Sequence, residues 1–363
     1  MAGSTRKPRN GTSRQTGAPT ISDVAELAGV SLMTVSRVIN AESNVRESTR
    51  EAVHAAIAKL NYAPNRAARR LAGAAQLRIG LLYSNPSEAY LSAFLLGSLD
   101  QASRADIQLV VQNAELGGQE REVAQRLVDS GVDGIILPPP LCDSEPVLDL
   151  LIEARVPTVV VATGRRPAEV AAVSIDDRSA AREMTTHLLD LGHHRIGFIS
   201  GNPNLTASSE RLAGYQDALR ARGIEPEETL VADGLFTYRS GLDAAEVLLD
   251  LALPPSAIFA SNDDMAAATV AVAHRRGLDV PGDLTVAGFD DSALATTIWP
   301  ELTTIHQPIA DMSRAAVDLL AGMLQGKRSG APVAPTQVVL DYTLIRRQSD
   351  AAPRRRPAAR QTG

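Results

Sequence analysis

Between residue 77 and about residue 346 the chain alternates short apolar runs with amphipathic helical stretches, and it completes that alternation twice. The first set reads as strands over 77–83, 108–112, 134–137 and 157–162, with helices over 90–104 and 119–130. The pattern restarts near Asp176, with helices over 177–191, 208–222, 240–251 and 263–276 and strands over 195–201, 230–232, 257–260 and 284–289. Buried strands separated by helices build parallel sheets from βαβ units, because a parallel neighbour needs a long crossover. Two such sets imply a two-lobed α/β body made of two doubly wound parallel sheets, with a cleft between them. Ligands of such sheets sit beyond the carboxyl ends of the strands. The residues closing strands there are Ser84, Asp176, Asn262, Asp290 and Gln307.

A different text precedes this body. Residues 21–28 read as a short helix with Ser22 as its cap, Asp23 and Glu26 in its opening turn, and a buried stripe of Ile21, Val24, Ala25 and Ala28. Gly29 falls where the turn into a second helix needs a residue tolerant of positive φ. Ser31 caps that helix, Val35, Val38 and Ile39 face inward, and Leu32, Met33, Thr34, Ser36, Arg37 and Asn40 face outward. This is the layout of a helix-turn-helix, whose second helix enters the DNA major groove. A third helix is expected over 47–60, with Val53, Ile57 and Leu60 on one face and Pro64 ending the segment. The stretch 65–73 is shorter than the roughly 12–15 residues that sustain a helix alone in water. It carries Arg66, Arg69 and Arg70, which suggests folding upon a polyanion.

The charge is divided the same way. Residues 1–73 hold eleven Lys/Arg against five Asp/Glu, and residues 350–363 four Arg against one Asp, so the net −6 of the chain leaves −15 on the rest. A basic headpiece can seek phosphate while an acidic body stays off it. Residues 1–19 are polar and basic without an apolar core, so a disordered arm is expected and not a secretory signal. Residues 347–363 are expected to be a disordered Arg/Pro tail. No apolar run approaches the roughly 18 residues of a membrane span. The single cysteine, Cys142, excludes an internal disulfide, which suits a reducing cytoplasm. His193 and His194 are adjacent and lack further ligands at metal spacing, so no metal site is expected. No phosphate-binding glycine motif follows a strand, and the pairs Asp176–Asp177, Asp263–Asp264 and Asp290–Asp291 read as strand-end turns and helix caps. Neither an enzyme nor a cofactor is expected.

Several stretches together resemble the lactose repressor / galactose repressor family. In the headpiece they are Asp-Val-Ala-Glu-Leu-Ala-Gly-Val-Ser from Asp23, Thr-Val-Ser-Arg-Val-Ile-Asn from Thr34, Leu-Asn-Tyr-Ala-Pro-Asn from Leu60 and Arg-Leu-Ala-Gly from Arg70. The body adds Leu-Gly-His-His-Arg-Ile-Gly-Phe-Ile-Ser-Gly from Leu191, Ser-Ser-Glu-Arg-Leu-Ala-Gly-Tyr from Ser208, Ala-Ile-Phe-Ala-Ser-Asn-Asp-Asp-Met-Ala from Ala257 and Val-Ala-Gly-Phe-Asp-Asp from Val286. The resemblance implies a DNA-binding headpiece over 20–64, a hinge helix and linker over 65–76, and a periplasmic-binding-protein-like body over 77–346. Its N-lobe would be about 77–176 plus 308–335 and its C-lobe about 177–305 plus 336–346. It further implies a homodimer on a palindromic double-stranded operator, most often a repressor, whose grip changes when a small molecule occupies the cleft.

Carried over residue by residue, the resemblance places Thr20, Ser31, Leu32, Met33, Thr34, Ser36, Arg37, Asn40, Asn65 and Ala68 on DNA, with Leu71 as a minor-groove wedge. Arg211, Asn262, Asp290 and Gln307 take effector-contact positions and Phe236 that of a stacking aromatic. Ser84, Tyr90 and Asp176 are further candidates. The stretch 85–90 departs from the family pattern, so the effector could be a sugar or, as in the purine-responsive branch, a nucleobase. A solute-binding protein without a DNA role is the alternative from another class. The chain has no C-terminal leucine heptad, which argues for a dimer over a tetramer.

The residue chemistry suits a sugar, whose hydroxyls both donate and accept. Arg211 is a donor fork, Asp290 an acceptor, and Asn262 and Gln307 offer both. Taken singly, Asp290 could equally cap a turn and Arg211 could be a surface ion-pair partner.

Overall fold

The structure, a computed structural model, describes residues 20–39, 45–60, 76–84, 87–115, 117–164, 170–329 and 335–354, and the chain divides into two compact units after Gln76.

The first unit holds three helices, α1 (Ile21–Ala28), α2 (Leu32–Ile39) and α3 (Glu47–Leu60). Val24, Ala25, Val35, Val38, Val53 and Ala56 form their common core. The first helix starts two residues earlier than a Ser22 cap would place it. Thr20 is the N-cap, and the Asp23 carboxylate accepts from its backbone N–H at 2.7 Å and its hydroxyl at 2.8 Å. An acidic residue three positions after a Thr is the sequence sign of this reciprocal cap. Gly29 ends the helix at φ 65° and ψ 32°, the left-handed conformation expected of it.

The second unit contains β1 (Arg78–Tyr83), α4 (Glu88–Ala105), β2 (Gln108–Asn113), α5 (Glu120–Asp129), β3 (Gly134–Leu137), α6 (Glu145–Glu153), β4 (Thr158–Val161) and β5 (Ala171–Ser174). It continues with α7 (Asp177–Asp190), β6 (Ile196–Ile199), α8 (Thr206–Ala221), β7 (Val231–Ala232), α9 (Tyr238–Leu249), β8 (Ala257–Ala260) and α10 (Asp263–Arg275). It closes with β9 (Thr285–Asp290), α11 (Ala293–Thr297), β10 (Thr303–His306), α12 (Ile309–Ser329), β11 (Gln337–Val339) and β12 (Thr343–Ile345). Two six-stranded sheets result, ordered β11-β5-β4-β3-β1-β2 and β12-β10-β9-β8-β6-β7. All pairings are parallel except β12 against β10. Strands β3, β4, β5, β6, β8 and β9 are buried at every residue, as strands covered by helices on both faces must be.

The chain passes between the lobes three times, after β5, after β10 and between β11 and β12. Two boundaries differ from the sequence reading. Residues 336–346 do not all belong to the C-lobe: β11 pairs with β5 in the first sheet, and only β12 joins the second. Three-residue strands carry too short an apolar pattern to reveal their sheet. Nor is the chain loose from residue 347. Residues 347–354 strap across the C-lobe, with Ser349 fully buried, its hydroxyl accepting from Thr303 N–H at 2.8 Å and donating to the Val286 carbonyl at 2.5 Å. The long helix α12, which packs on α4 and on β3, β4 and β5, completes the N-lobe.

Candidate functional site

Three strand-to-helix junctions converge on one space. After β5 the chain turns at Asp176, whose carboxylate caps α7 by accepting from Ser179 N–H at 2.9 Å. That leaves Asp176 exposed and turns the next residue, Asp177, inward to 4% exposure. After β8, Asn262 caps α10 by accepting from Met265 N–H at 3.0 Å and donates to the Phe236 carbonyl at 3.1 Å. Strand β9 ends on Asp290 with φ at 102°, a region that non-glycine residues seldom adopt and that marks a backbone held by its surroundings.

Arg211, on α8, is the hub. Only 4% exposed, its Nε donates to Asp177 Oδ1 at 2.7 Å, Nη1 to the Ser261 carbonyl at 2.6 Å and Nη2 to Gln307 Oε1 at 3.1 Å. Asp290 Oδ1 lies 3.9 Å from Nη1, and the Phe289 ring centroid is 3.6 Å from the guanidinium carbon, stacking against its face. This is no surface ion pair; the guanidinium is held on every side.

Tyr90, Arg211, Phe236, Asn262, Asp290 and Gln307 line one cavity, together with Ser87, Pro139, Pro140, Ala162, Leu205 and Ala207, none of which the sequence reading had singled out. Ser84 and Asp176 do not line it. The space between these residues is about 460 Å³, part of it open to solvent. Two buried polar atoms lining this space, the Tyr90 hydroxyl and Gln307 Nε2, have no hydrogen-bond partner. Unpaired buried polar groups cost free energy unless a ligand or water meets them.

Two carboxylates, Asp177 and Asp290, flank the guanidinium, and Asp263 and Asp264 lie close enough to act on Asp290. Burial lifts Asp290 well above the ordinary carboxylate range; Arg211 pulls it down, and the charges of Asp263, Asp264 and Asp177 push it up. Asp177 is also raised by burial, against the pull of Arg211. Asp263 is pushed to about 7 by burial, despite accepting from the Thr304 hydroxyl and Ser292 N–H, each at 2.7 Å. Burial raises the Tyr90 hydroxyl too, and Asp290 adds to it.

Gly201 sets the position of the aromatic wall. A Cβ there would run into the Phe236 ring, which lies directly on the glycine backbone. Gly201→Ala is expected to push Phe236 into the cavity and weaken ligand binding at least tenfold with little loss of stability. Titration calorimetry with the ligand checks this; unchanged affinity would show that Phe236 is not part of the site.

In the first unit, Leu32 and Met33 are 50% and 64% exposed, and Arg37 is exposed on the same helix. Ser31 and Thr34 are joined through their hydroxyls at 2.8 Å, with Thr34 N–H donating to Ser31 Oγ at 3.2 Å, so both serve the helix start. Ser36 is half-buried. Asn40, Asn65, Ala68 and Leu71 lie outside the described residues.

Residues 20–65 match the family profile described as "Bacterial regulatory proteins, lacI family", and residues 185–349 match "Periplasmic binding protein-like domain". The chain is 38% identical over 341 residues to the HTH-type transcriptional regulator CelR of Thermobifida fusca, covering 91% of this chain and 98% of that protein. It is 32% identical over 336 residues to the regulator GalR of Escherichia coli K12, covering 92% and 96%. Among solved structures, a transcriptional regulator CelR–cellobiose complex superposes with a TM-score of 0.70 at 36% identity, covering 92% of this chain and 100% of that one. The lac repressor dimer bound to operator and an anti-inducer superposes at 0.69 with 30% identity, covering 93% and 100%. With a helix-turn-helix unit and a two-lobed α/β body both matched at this level, the chain belongs to the LacI family of transcriptional regulators.

Proposed function

We propose that the protein is a dimeric regulator that reads a palindromic operator and is controlled by a neutral sugar in the cleft of its body. The observation that carries the ligand class is the state of Arg211. All of its donor nitrogens already have protein partners, and no other Lys, Arg or His among the described residues lines the cavity. Asp177, 2.7 Å from Arg211, already balances its charge, which leaves little to neutralise a phosphate or carboxylate, and a charged Asp290 would repel one. A hydroxyl, by contrast, accepts from Gln307 Nε2, donates to Asp290 and pairs with Tyr90, while Phe236 covers an apolar sugar face. CelR was solved with cellobiose, which makes cellobiose the first sugar to try.

The headpiece supports the DNA role. Leu32 and Met33 suit thymine methyl groups, and Arg37 suits guanine O6 and N7 or a phosphate. The hinge readings, with Leu71 as the wedge, rest on the family resemblance. Leu96, Leu99 and Trp299 are 65%, 51% and 76% exposed, apolar surface that a second copy would cover. A DNA-binding regulator acts in the compartment that holds the DNA, and no helix among the described residues is long and apolar enough to cross a membrane.

The test is a thermal-shift series with glucose and cellobiose beside glucose 6-phosphate and glucuronate. Binding at a hundred times the dissociation constant stabilises by about 2.7 kcal/mol, which is readily seen. A neutral sugar should shift the melt, and the charged forms should bind at least tenfold more weakly. Tighter binding of a charged form would contradict the ligand class, and a blank across sugars with a shift by purines would replace it.

A further inference from the structure

Two sets of side-chain bonds join the lobes across the cleft, and in one of them a residue of the N-lobe caps a helix of the C-lobe. Helix α8 begins at Thr206, and the residue before it, Leu205, has no side chain that can cap. The cap comes from the other lobe. Asp143, in the turn that follows Pro140, accepts from Thr206 N–H at 2.9 Å and from the Thr206 hydroxyl at 2.8 Å through Oδ2. Its Oδ1 accepts from the Thr163 hydroxyl at 2.6 Å, and Gly164 N–H donates to Thr206 Oγ1 at 2.6 Å. On the other side of the cavity Ser87 caps α4, accepting from Tyr90 N–H at 3.3 Å, and donates its own proton to Asp264 Oδ2 of the C-lobe at 2.7 Å.

These contacts tie down the two helices that bear cavity residues, Arg211 on α8 and Tyr90 on α4. Gly164 is part of the fit: a Cβ there would lie 2.9 Å from Glu210 Cγ and 3.1 Å from the Thr206 carbonyl oxygen, so a larger residue presses on the start of α8 across the lobe boundary. Asp143 and Thr206 line an outer pocket of about 1020 Å³ that shares Pro140 and Leu205 with the cavity, so they stand where the inner space meets the outside.

We propose that Asp143 with Thr206, and Ser87 with Asp264, are two latches that hold the lobes shut and must open before anything enters the cavity. Tyr90, Arg211, Asn262, Asp290 and Gln307 are each at most 7% exposed, so a sugar reaches them only when the lobes part. Parting them uncaps α8 and frees the Asp143 carboxylate to water, and closing restores both. The latches go beyond the ligand reading, and their test needs no ligand, so either can fail alone.

The test is hydrogen exchange of the full chain, read by mass spectrometry without sugar. Asp143→Ala removes the direct acceptor of Thr206 N–H, so faster exchange over 203–209 alone is a local effect. The informative segment is 87–91, which holds the opposite latch and makes none of the Asp143 bonds described above. Asp143→Ala and Gly164→Ala should each raise exchange over 87–91 at least fivefold, Thr206→Val should do so more weakly, and Thr206→Ser should match wild type. Unchanged exchange over 87–91 in both Asp143→Ala and Gly164→Ala, with faster exchange confined to 141–144 and 203–209, would overturn the proposal.

Discussion

Arg211→Ala is expected to lower the stability of the body by about 3–5 kcal/mol and to abolish the response to sugar while leaving operator binding intact. The energetic part follows from what remains behind. Asp177 and Asp290, 4% and 7% exposed, lose the guanidinium they share, and removing one partner of a buried charge set leaves the others uncompensated. Both carboxyls already lie above their ordinary values through burial, with Arg211 pulling down. Without it they rise further. A carboxyl raised in the folded state favours folding while protonated and loses that advantage as pH climbs through its folded value. The deficit of the variant should therefore be larger at pH 8 than at pH 5. Thermal melts at both pH values read this, and an equal deficit at the two would place the cost in packing alone.

Deleting residues 347–363 is expected to destabilise the C-lobe strongly, whereas deleting only 355–363 should be neutral. The strap is bonded along its length. Arg347 reaches Asp291 at 2.5 Å and the Leu302 carbonyl at 2.9 Å, Asp350 takes His187 Nε2 at 2.7 Å and the Thr303 hydroxyl, and the Ala351 carbonyl accepts from Thr285 at 3.0 Å and contacts His193 at 2.8 Å. Its loss strands Thr303, Thr285 and His193 in a buried surface; at roughly 1–3 kcal/mol for each unsatisfied group, the cost is on the order of 5 kcal/mol. Asp350 adds a pH signature. Burial works against its charged form, but the bonds from His187 and Thr303 outweigh it and hold its pKa below the ordinary value. That contribution is present at neutral pH and fades as pH falls through the folded value. Denaturant melts of the two truncations check both points, and equal midpoints would show that the strap is passive.

Much of this arrangement was legible residue by residue. The helix over 47–60 and the strands over 134–137 and 257–260 stand where their apolar spacing puts them. Six of the eight ligand candidates share one cavity, and three of them, Asn262, Asp290 and Gln307, close strands, whose ends in parallel sheets converge on one edge. The misses have physical causes. At the β5–α7 junction, nothing in the sequence says which of two neighbouring aspartates caps the helix and which turns inward; Asp176 is the cap, and Asp177 turns inward to hold Arg211. The strap at 347–354 is polar and aperiodic, and its order comes from bonds to residues far away in the chain. Helix α12 was recoverable: Ile309, Met312, Ala316, Leu320 and Leu324 are buried at helical spacing. The latch between Asp143 and Thr206 spans 63 positions and leaves no local mark.

Control of DNA binding by a sugar in the cleft is tested most directly by an operator titration. The full chain should enrich a palindromic site from random DNA, centred on a flexible pyrimidine–purine step if Leu71 wedges there. Anisotropy titration on that site, with and without the sugar that raises the melting temperature, then reads the coupling. The expected result is a change in dissociation constant on the order of 5–150-fold for wild type and none for Arg211→Ala. A sugar that binds the wild-type cleft yet leaves its operator affinity unchanged would contradict it.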